Sequence, residues 1–81
     1  MDKKTIELFN HLSFSTAVCI EHYDESFNYW SQIYYQEYNT INFQHLYSIT
    51  NLLLVYKKVR ITVYDEFEAK KRVRFKFERS V

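Results

Sequence analysis

The sequence predicts an α+β domain built from two αββ units, with a four-stranded antiparallel sheet and two helices mainly on one face. Apolar residues recur at helical spacing in two segments, and four segments have the alternation or aromatic content of strands. Their order along residues 1–81 is helix, hairpin, helix, hairpin, which one domain accommodates. Since 47% of the residues are hydrophobic and 20% aromatic, the chain has the material for a folded core.

Both helices are predicted from apolar spacing. The first spans 2–12 with Asp2 as its cap, and the second spans about 41–56 with Asn39 and Thr40 as caps. The residues expected to face the sheet are Ile6, Phe9 and Leu12 in the first helix and Phe43, Leu46, Ile49, Leu53 and Tyr56 in the second.

The first hairpin is predicted from residue type. Segments 14–23 and 27–38 are rich in β-branched and aromatic residues, and Asp24 and Ser26 supply the turn between them. Segment 27–38 also has aromatic residues at helical spacing, so a helix is the alternative there. As a strand it would be apolar on both sides, with Phe27, Tyr29, Ile33 and Tyr35 on one face and Trp30, Tyr34 and Tyr38 on the other.

The second hairpin is predicted from strict alternation, with 65–71 as the connecting loop. The residues expected to face the helices are Val59, Ile61, Val63, Val73, Phe75 and Phe77. The opposite face would then carry a basic strip beside a tyrosine, formed by Arg60, Thr62, Tyr64, Arg72, Arg74 and Lys76. Further cations lie nearby at Lys57, Lys58, Lys70, Lys71 and Arg79.

A shift of 41 residues aligns the two halves of the chain. It places 18–25 over 59–66, where five of eight residues are identical. An internal repeat of 1–40 and 41–81 is therefore one hypothesis, and two unrelated hairpins with a shared strand-and-turn vocabulary are the other. The first half has two basic and six acidic residues, and the second has nine basic and four acidic residues. This uneven distribution of charge is compatible with homodimerisation or with an acidic partner.

Glycine and proline are both absent, which excludes Gly-rich phosphate cradles and dinucleotide fingerprints. It also predicts turns that tolerate ordinary residues, such as type I. The single Cys19 excludes an intramolecular disulfide and a cysteine-based zinc site.

No catalytic apparatus or cofactor is expected. His11, His22 and His45 lack metal-site spacing, and His22 should point away from Cys19, which is expected to be a packing residue. The acidic pairs at 24–25 and 65–66 would form a carboxylate cluster if the two hairpin tips met, although solvated turn residues are the simpler expectation.

Two features indicate binding: the aromatic strand and the basic strip. We expect a small non-catalytic protein-binding module for an acidic or mixed protein surface, with no membrane contact and a cytoplasmic location. An inhibitor of a larger macromolecule, such as phages and other mobile elements encode, would be one example. The alternative is nucleic-acid binding by the basic hairpin. The residues expected to bind the partner are Tyr29, Trp30, Tyr35, Arg60, Tyr64, Arg72, Arg74 and Lys76.

Overall fold

The computed structural model describes residues 2–13, 15–37 and 43–80. Two helices and a four-stranded antiparallel sheet form in the order α-β-β-α-β-β, as the sequence predicts. The sheet has the strand order β2-β1-β3-β4, so β2 and β4 are its edges. The elements are α1 (Lys3–Leu12), β1 (Ala17–Asp24), β2 (Tyr29–Glu37), α2 (Phe43–Val55), β3 (Lys58–Phe67) and β4 (Lys70–Ser80).

Helix α1 begins at the predicted cap. The Oδ1 atom of Asp2 accepts a hydrogen bond from the backbone N–H of Thr5 at 2.8 Å, which satisfies one donor of the first turn. Its buried residues are Leu8 and Leu12, four apart and both 0% exposed. The prediction that Ile6 faces the sheet was wrong, since Ile6 is 48% exposed. Phe9 and Leu12, which were also predicted to face the sheet, do pack in or against the core, together with Leu8.

Helix α2 buries Ile49 and Leu53, as its spacing predicts. The predicted caps at 39–40 lie outside the described residues. At its other end, Arg79 of β4 donates from Nη2 to the carbonyl oxygens of Leu53 and, at 3.2 Å, of Tyr56. A cation on carbonyls that have no partner within a helix stabilises its C-terminus. Arg79 therefore belongs to the helix side of the sheet.

The first hairpin is shorter than predicted, because β1 begins at Ala17 and Phe27 lies in the turn. Strand rather than helix is correct for Tyr29–Glu37. Asp24 accepts a hydrogen bond from the Ser26 N–H at 2.9 Å, which is the predicted turn chemistry.

A bulge in β2 changes which of its residues share a face. Tyr34 pairs with Ile20 and Gln32 pairs with Glu21, so Ile33 is an extra residue without a partner on β1. Trp30 and Tyr35 consequently lie on the same face of the sheet, whereas strict alternation had separated them. Ile33 and Tyr34 pack against the core instead.

The second hairpin has a two-residue turn rather than the predicted loop over 65–71. Phe67 pairs with Lys70, and Glu68 and Ala69 between them have φ values of 52° and 62°. Positive φ at both positions is the backbone of a type I′ turn, so the expectation of type I turns was also wrong here.

Strand β4 contains a second bulge, at Arg74. Phe75 pairs with Val63 and Val73 pairs with Tyr64, so Arg74 is the extra residue of the bulge between them. Val73 was predicted to face the helices, but it shares the opposite face with Tyr64 and is 48% exposed. The same shift places Arg72 opposite Asp65, on the helix side.

The core lies between one face of the sheet and both helices. The buried cluster consists of Leu8 and Leu12 of α1, Ile49 and Leu53 of α2, and Val18, Ile20, Val59, Ile61, Val63 and Phe77 of the sheet. Burial of this apolar surface is the main stabilising contribution to such a two-layer fold. The other face, hereafter the open face, has no helix against it among the described residues.

The spacing of the elements favours the repeat hypothesis. Strands β1 and β3 begin at 17 and 58, and β2 and β4 at 29 and 70, so both pairs are 41 residues apart. Within the β1–β3 pairing, Ile20 lies opposite Ile61, its own counterpart under this shift. The bulge residues Ile33 and Arg74 are also 41 apart. Duplication itself stays a hypothesis.

Candidate functional site

The open face presents side chains from all four strands. Its membership follows from the pairing register, because residues paired across antiparallel strands lie on the same face. Its residues are Ala17, Cys19, Glu21 and Tyr23 of β1, Trp30, Gln32, Tyr35 and Glu37 of β2, Lys58, Arg60, Thr62, Tyr64 and Glu66 of β3, and Lys71, Val73, Lys76, Glu78 and Ser80 of β4.

Cations and aromatic rings alternate at one end of the open face. Lys58 Nζ lies 4.4 Å from the ring centroid of Tyr23, and Arg60 Cζ lies 4.4 Å from that of Trp30. The Tyr23 and Trp30 rings meet edge to face, with centroids 5.5 Å apart. Edge-to-face rings and cation–π contacts each contribute roughly 0.5–1.5 kcal/mol, so together they hold Trp30 in one orientation.

Arg60 is fixed on a second side by Glu21. Its Nε and Nη2 atoms donate to the two carboxylate oxygens of Glu21 at 2.8 and 3.2 Å, a bidentate geometry. The two residues are neighbours in the β1–β3 register, so backbone pairing already brings them together. The Arg60 guanidinium is therefore both stacked and neutralised.

Lys71 spans the other end of the open face. It belongs to β4, yet its Nζ donates to Glu37 and, at 2.6 Å, to the Tyr35 hydroxyl, both on the opposite edge strand. The Tyr35 hydroxyl in turn donates to Glu37 Oε1 at 2.7 Å. Because the two edges meet through these side chains, the open face is concave here. Ala17, which pairs with Glu37 on one side and Tyr64 on the other, is 0% exposed. Burial also raises the pKa of the Tyr64 hydroxyl.

The predicted basic strip is divided between the two faces. Arg72 Nε and Arg74 Nη1 donate to the two oxygens of Asp65 at 2.9 and 3.3 Å. Asp65 alternates with Tyr64 and therefore lies on the helix side. The hydrogen bond from Arg72, with the charges of both arginines, holds the pKa of Asp65 below its ordinary value.

Cys19 lies at the centre of the open face. Its Sγ is 3.5 Å from Gln32 Oε1, and burial raises the pKa of the thiol, with the Glu21 carboxylate adding to the effect. His22 lies on the other face, where its ring packs on Tyr56 with centroids 4.7 Å apart. A raised pKa leaves less thiolate, so this environment does not activate Cys19 as a nucleophile.

The two acidic pairs do not form a cluster. Strands β1 and β3 are antiparallel, so Asp24 and Asp65 lie at opposite ends of the sheet. Within residues 2–13, 15–37 and 43–80, no group of three or more His, Cys, Asp or Glu side chains is placed to hold a metal ion. Neither described helix is long and apolar enough to cross a membrane.

The structure unites part of the predicted binding set. Trp30, Tyr35, Arg60, Tyr64 and Lys76 share the open face. Arg72 lies on the helix side, Arg74 is a bulge residue bound to Asp65, and Tyr29 lies beside the turn with its ring 6.2 Å from that of Phe27.

Lys58 and Lys71 were predicted only to lie near the basic strip, and Tyr23 was given no role, yet all three belong to the open face. Tyr23 and Lys58 had a usable signal, because each alternates with the apolar residues of its own strand. Lys71 had none, since its contact with Glu37 depends on the curvature that brings the two edges of the sheet together.

Acidification below about pH 4 should lower the melting temperature. Hydrogen bonds from Lys71, Arg72 and the Thr5 N–H depress the pKa of Glu37, Asp65 and Asp2 from ordinary values of 4.5, 3.8 and 3.8. A depressed folded-state pKa contributes stability that is present above the ordinary pKa and lost as the pH falls through the depressed one. Melting curves at pH 7 and pH 3 measure the loss. The Asp65→Asn variant should lose less between the two, and an identical loss in both proteins would contradict this assignment.

The chain matches no protein-family model, no curated protein and no solved structure.

Proposed function

We propose that the chain is a non-catalytic protein-binding module that receives its partner on the open face. The observation that carries the proposal is a sheet face that none of the described helices covers, on which aromatic rings are held between charged side chains. Tyr, Trp and Arg are the residues most enriched among those that contribute most of the energy of protein interfaces. Trp30, Tyr35 and Arg60 bring all three types to one surface.

Pre-formed contacts on the free protein favour tight binding. Trp30 is held by Tyr23 and Arg60, and Tyr35 is held by Lys71 and Glu37. Association costs free energy for every side chain that must be ordered at the interface, about 0.5–1.5 kcal/mol each. Side chains that are already ordered avoid most of that cost.

The charge pattern favours a protein over a nucleic acid. Arg60 is paired with Glu21 and Lys71 with Glu37, while Asp65 pairs with both Arg72 and Arg74. A phosphate backbone would have to displace these carboxylates and would meet their negative charge. A protein surface that itself carries both signs of charge fits better. Inhibition would follow if the covered surface were one that the partner uses.

Replacing Trp30 with alanine should weaken partner binding by about tenfold or more, a loss of about 1.4 kcal/mol. Proteins captured by the immobilised chain would be identified by quantitative mass spectrometry, and the captured partner purified and titrated calorimetrically. Tyr35→Ala should weaken the same interaction. Phe27→Ala is the matched control, because Phe27 is 72% exposed in the turn and lies off the open face. Equal capture by wild type and both open-face variants, with melting temperatures unchanged, would exclude this site.

Nucleic-acid binding is the second candidate, favoured by one observation. Lys58 and Arg60 lie over aromatic rings, and such surfaces can stack bases beside phosphate contacts. Labelled single- and double-stranded oligonucleotides at low salt provide the test. Binding that weakens steeply as salt rises, and that is lost in Trp30→Ala, would replace the protein partner with a nucleic acid. Under the protein-binding proposal, no such salt-dependent binding occurs.

A further inference from the structure

The two edges of the sheet differ in their protection against pairing with another strand. Edge strands expose unpaired backbone groups, and natural proteins commonly protect them with Lys, Pro or other charged residues. Strand β4 has abundant protection of this kind, whereas β2 has no Lys, Arg or Pro and its only charged residue is Glu37. The basic residues of β4 are Lys70, Lys71, Arg72, Arg74, Lys76 and Arg79.

Beside β2, helix α2 continues the uncharged surface. The helix contains no Asp, Glu, Lys or Arg. A groove of about 420 Å³ lies between it and β2, lined by Ile33, Tyr34, Ser48, Asn51, Leu52, Val55 and Tyr56. Val55, one of these lining residues, is 70% exposed. Apolar side chains exposed together on a surface without charge are typical of a surface that another chain covers.

This edge, hereafter the β2–α2 surface, consists of Tyr29–Glu37 and the α2 residues that line the groove. We infer that its occupant is a second copy of this chain. The two copies pair antiparallel through β2 and extend the sheet to eight strands, with the α2 helices packed against each other across the two-fold axis.

Charge complementarity selects this occupant. In a two-fold contact the same surface meets itself, so any charge near the axis faces its own copy. The β2–α2 surface meets that condition, since its single carboxylate, Glu37, is at the end of β2 and is bound to Lys71. The α2 residues add no charge, and an acidic or basic partner would find no countercharge on this surface.

The dimer leaves the open face accessible, so it is separate from the proposed function. Pairing through β2 continues the sheet in its own plane, and the α2 contact lies on the helix side. The two open faces of a dimer then lie side by side on one continuous sheet.

Light scattering coupled to size-exclusion chromatography tests the inference without any other partner present. The wild-type chain should have twice its 10.0 kDa monomer mass. Val55→Lys and Asn51→Lys place a lysine at the groove, near its own copy, and each should raise the dimer dissociation constant by about tenfold or more. Val73→Lys on the opposite edge is the matched control, since it adds the same charge at a 48% exposed valine and should leave the dimer intact.

Hydrogen exchange of β2 provides the second measurement. The amides of Tyr29–Glu37 that point away from β1 should exchange more slowly in wild type than in Val55→Lys. Pairing with the second copy gives these amides hydrogen-bond partners, which slows their exchange. A wild-type chain that is monomeric at every concentration overturns the inference. A dimer that survives both α2 substitutions with β2 exchange unchanged also overturns it, because the contact then uses another surface. Either result leaves the open-face proposal standing, since that proposal is tested with Trp30 and Tyr35.

Discussion

Replacing Leu8 with alanine should lower the free energy of unfolding by about 3 kcal/mol. Leu8 is 0% exposed and belongs to the cluster that joins α1 to the sheet. The substitution removes buried methyl and methylene groups and leaves a cavity, and the helical backbone is unaffected because alanine favours helix. A domain of this size has about 4–12 kcal/mol of stability in total, so the loss is a large fraction of it.

Thermal and urea unfolding at fixed protein concentration measure the effect, which should appear as a melting temperature lower by roughly 12–24 °C. Ile6→Ala is the control, two residues away on the same helix and 48% exposed, with an expected change of less than about 1 kcal/mol. Equal losses at the two positions would mean that α1 is rotated relative to the orientation described above.

Replacing Glu68-Ala69 with Asn-Gly should stabilise the protein by about 1.5 kcal/mol. The two residues have φ values of 52° and 62°, where the Cβ atom of an ordinary residue approaches backbone atoms. Asn-Gly is the preferred pair for a two-residue turn with this geometry. Part of the gain is offset because glycine increases the conformational freedom of the unfolded chain.

Differential scanning calorimetry should find a melting temperature higher by roughly 6–12 °C. Ala69→Val should change the melting temperature in the opposite direction. A β-branched residue is particularly unfavourable at positive φ, so this variant should have a lower melting temperature than wild type. Stabilisation by both variants would show that the turn does not have positive φ at residue 69.

Alternation along a strand predicts its faces only as far as the first bulge. Val59, Ile61 and Val63 are all buried, as their period of two predicts. Beyond the bulge at Arg74 the pattern reverses, and Val73 appears on the open face. The bulge at Ile33 likewise places Tyr35 on the same face as Trp30, whereas strict alternation places the two on opposite faces. Neither bulge is marked by glycine, the usual sequence signal, so the sequence of each strand alone could not reveal it.

The binding set was only partly predictable for a related reason. The aromatic and basic residues were visible in the sequence, but their neutralisation by Glu21, Glu37 and Asp65 was not. The contact between Arg60 and Glu21 requires β1 and β3 to be adjacent, and strand order could not be derived from the sequence. The contact between Lys71 and Glu37 requires curvature of the whole sheet. The sequence alone therefore overstates how accessible these cations are to a phosphate backbone.

The pairing of Ile20 with Ile61, its counterpart under the 41-residue shift, bears on the evolutionary origin of the fold. Under the repeat hypothesis, an ancestral chain of about 40 residues, too short to be stable alone, would have buried its β1 edge against β1 of an identical chain. Gene duplication and fusion would then have turned that contact between molecules into the central seam of one molecule. After such a fusion the two halves would have been free to diverge, which is compatible with the acidic first half and the basic second half of this chain.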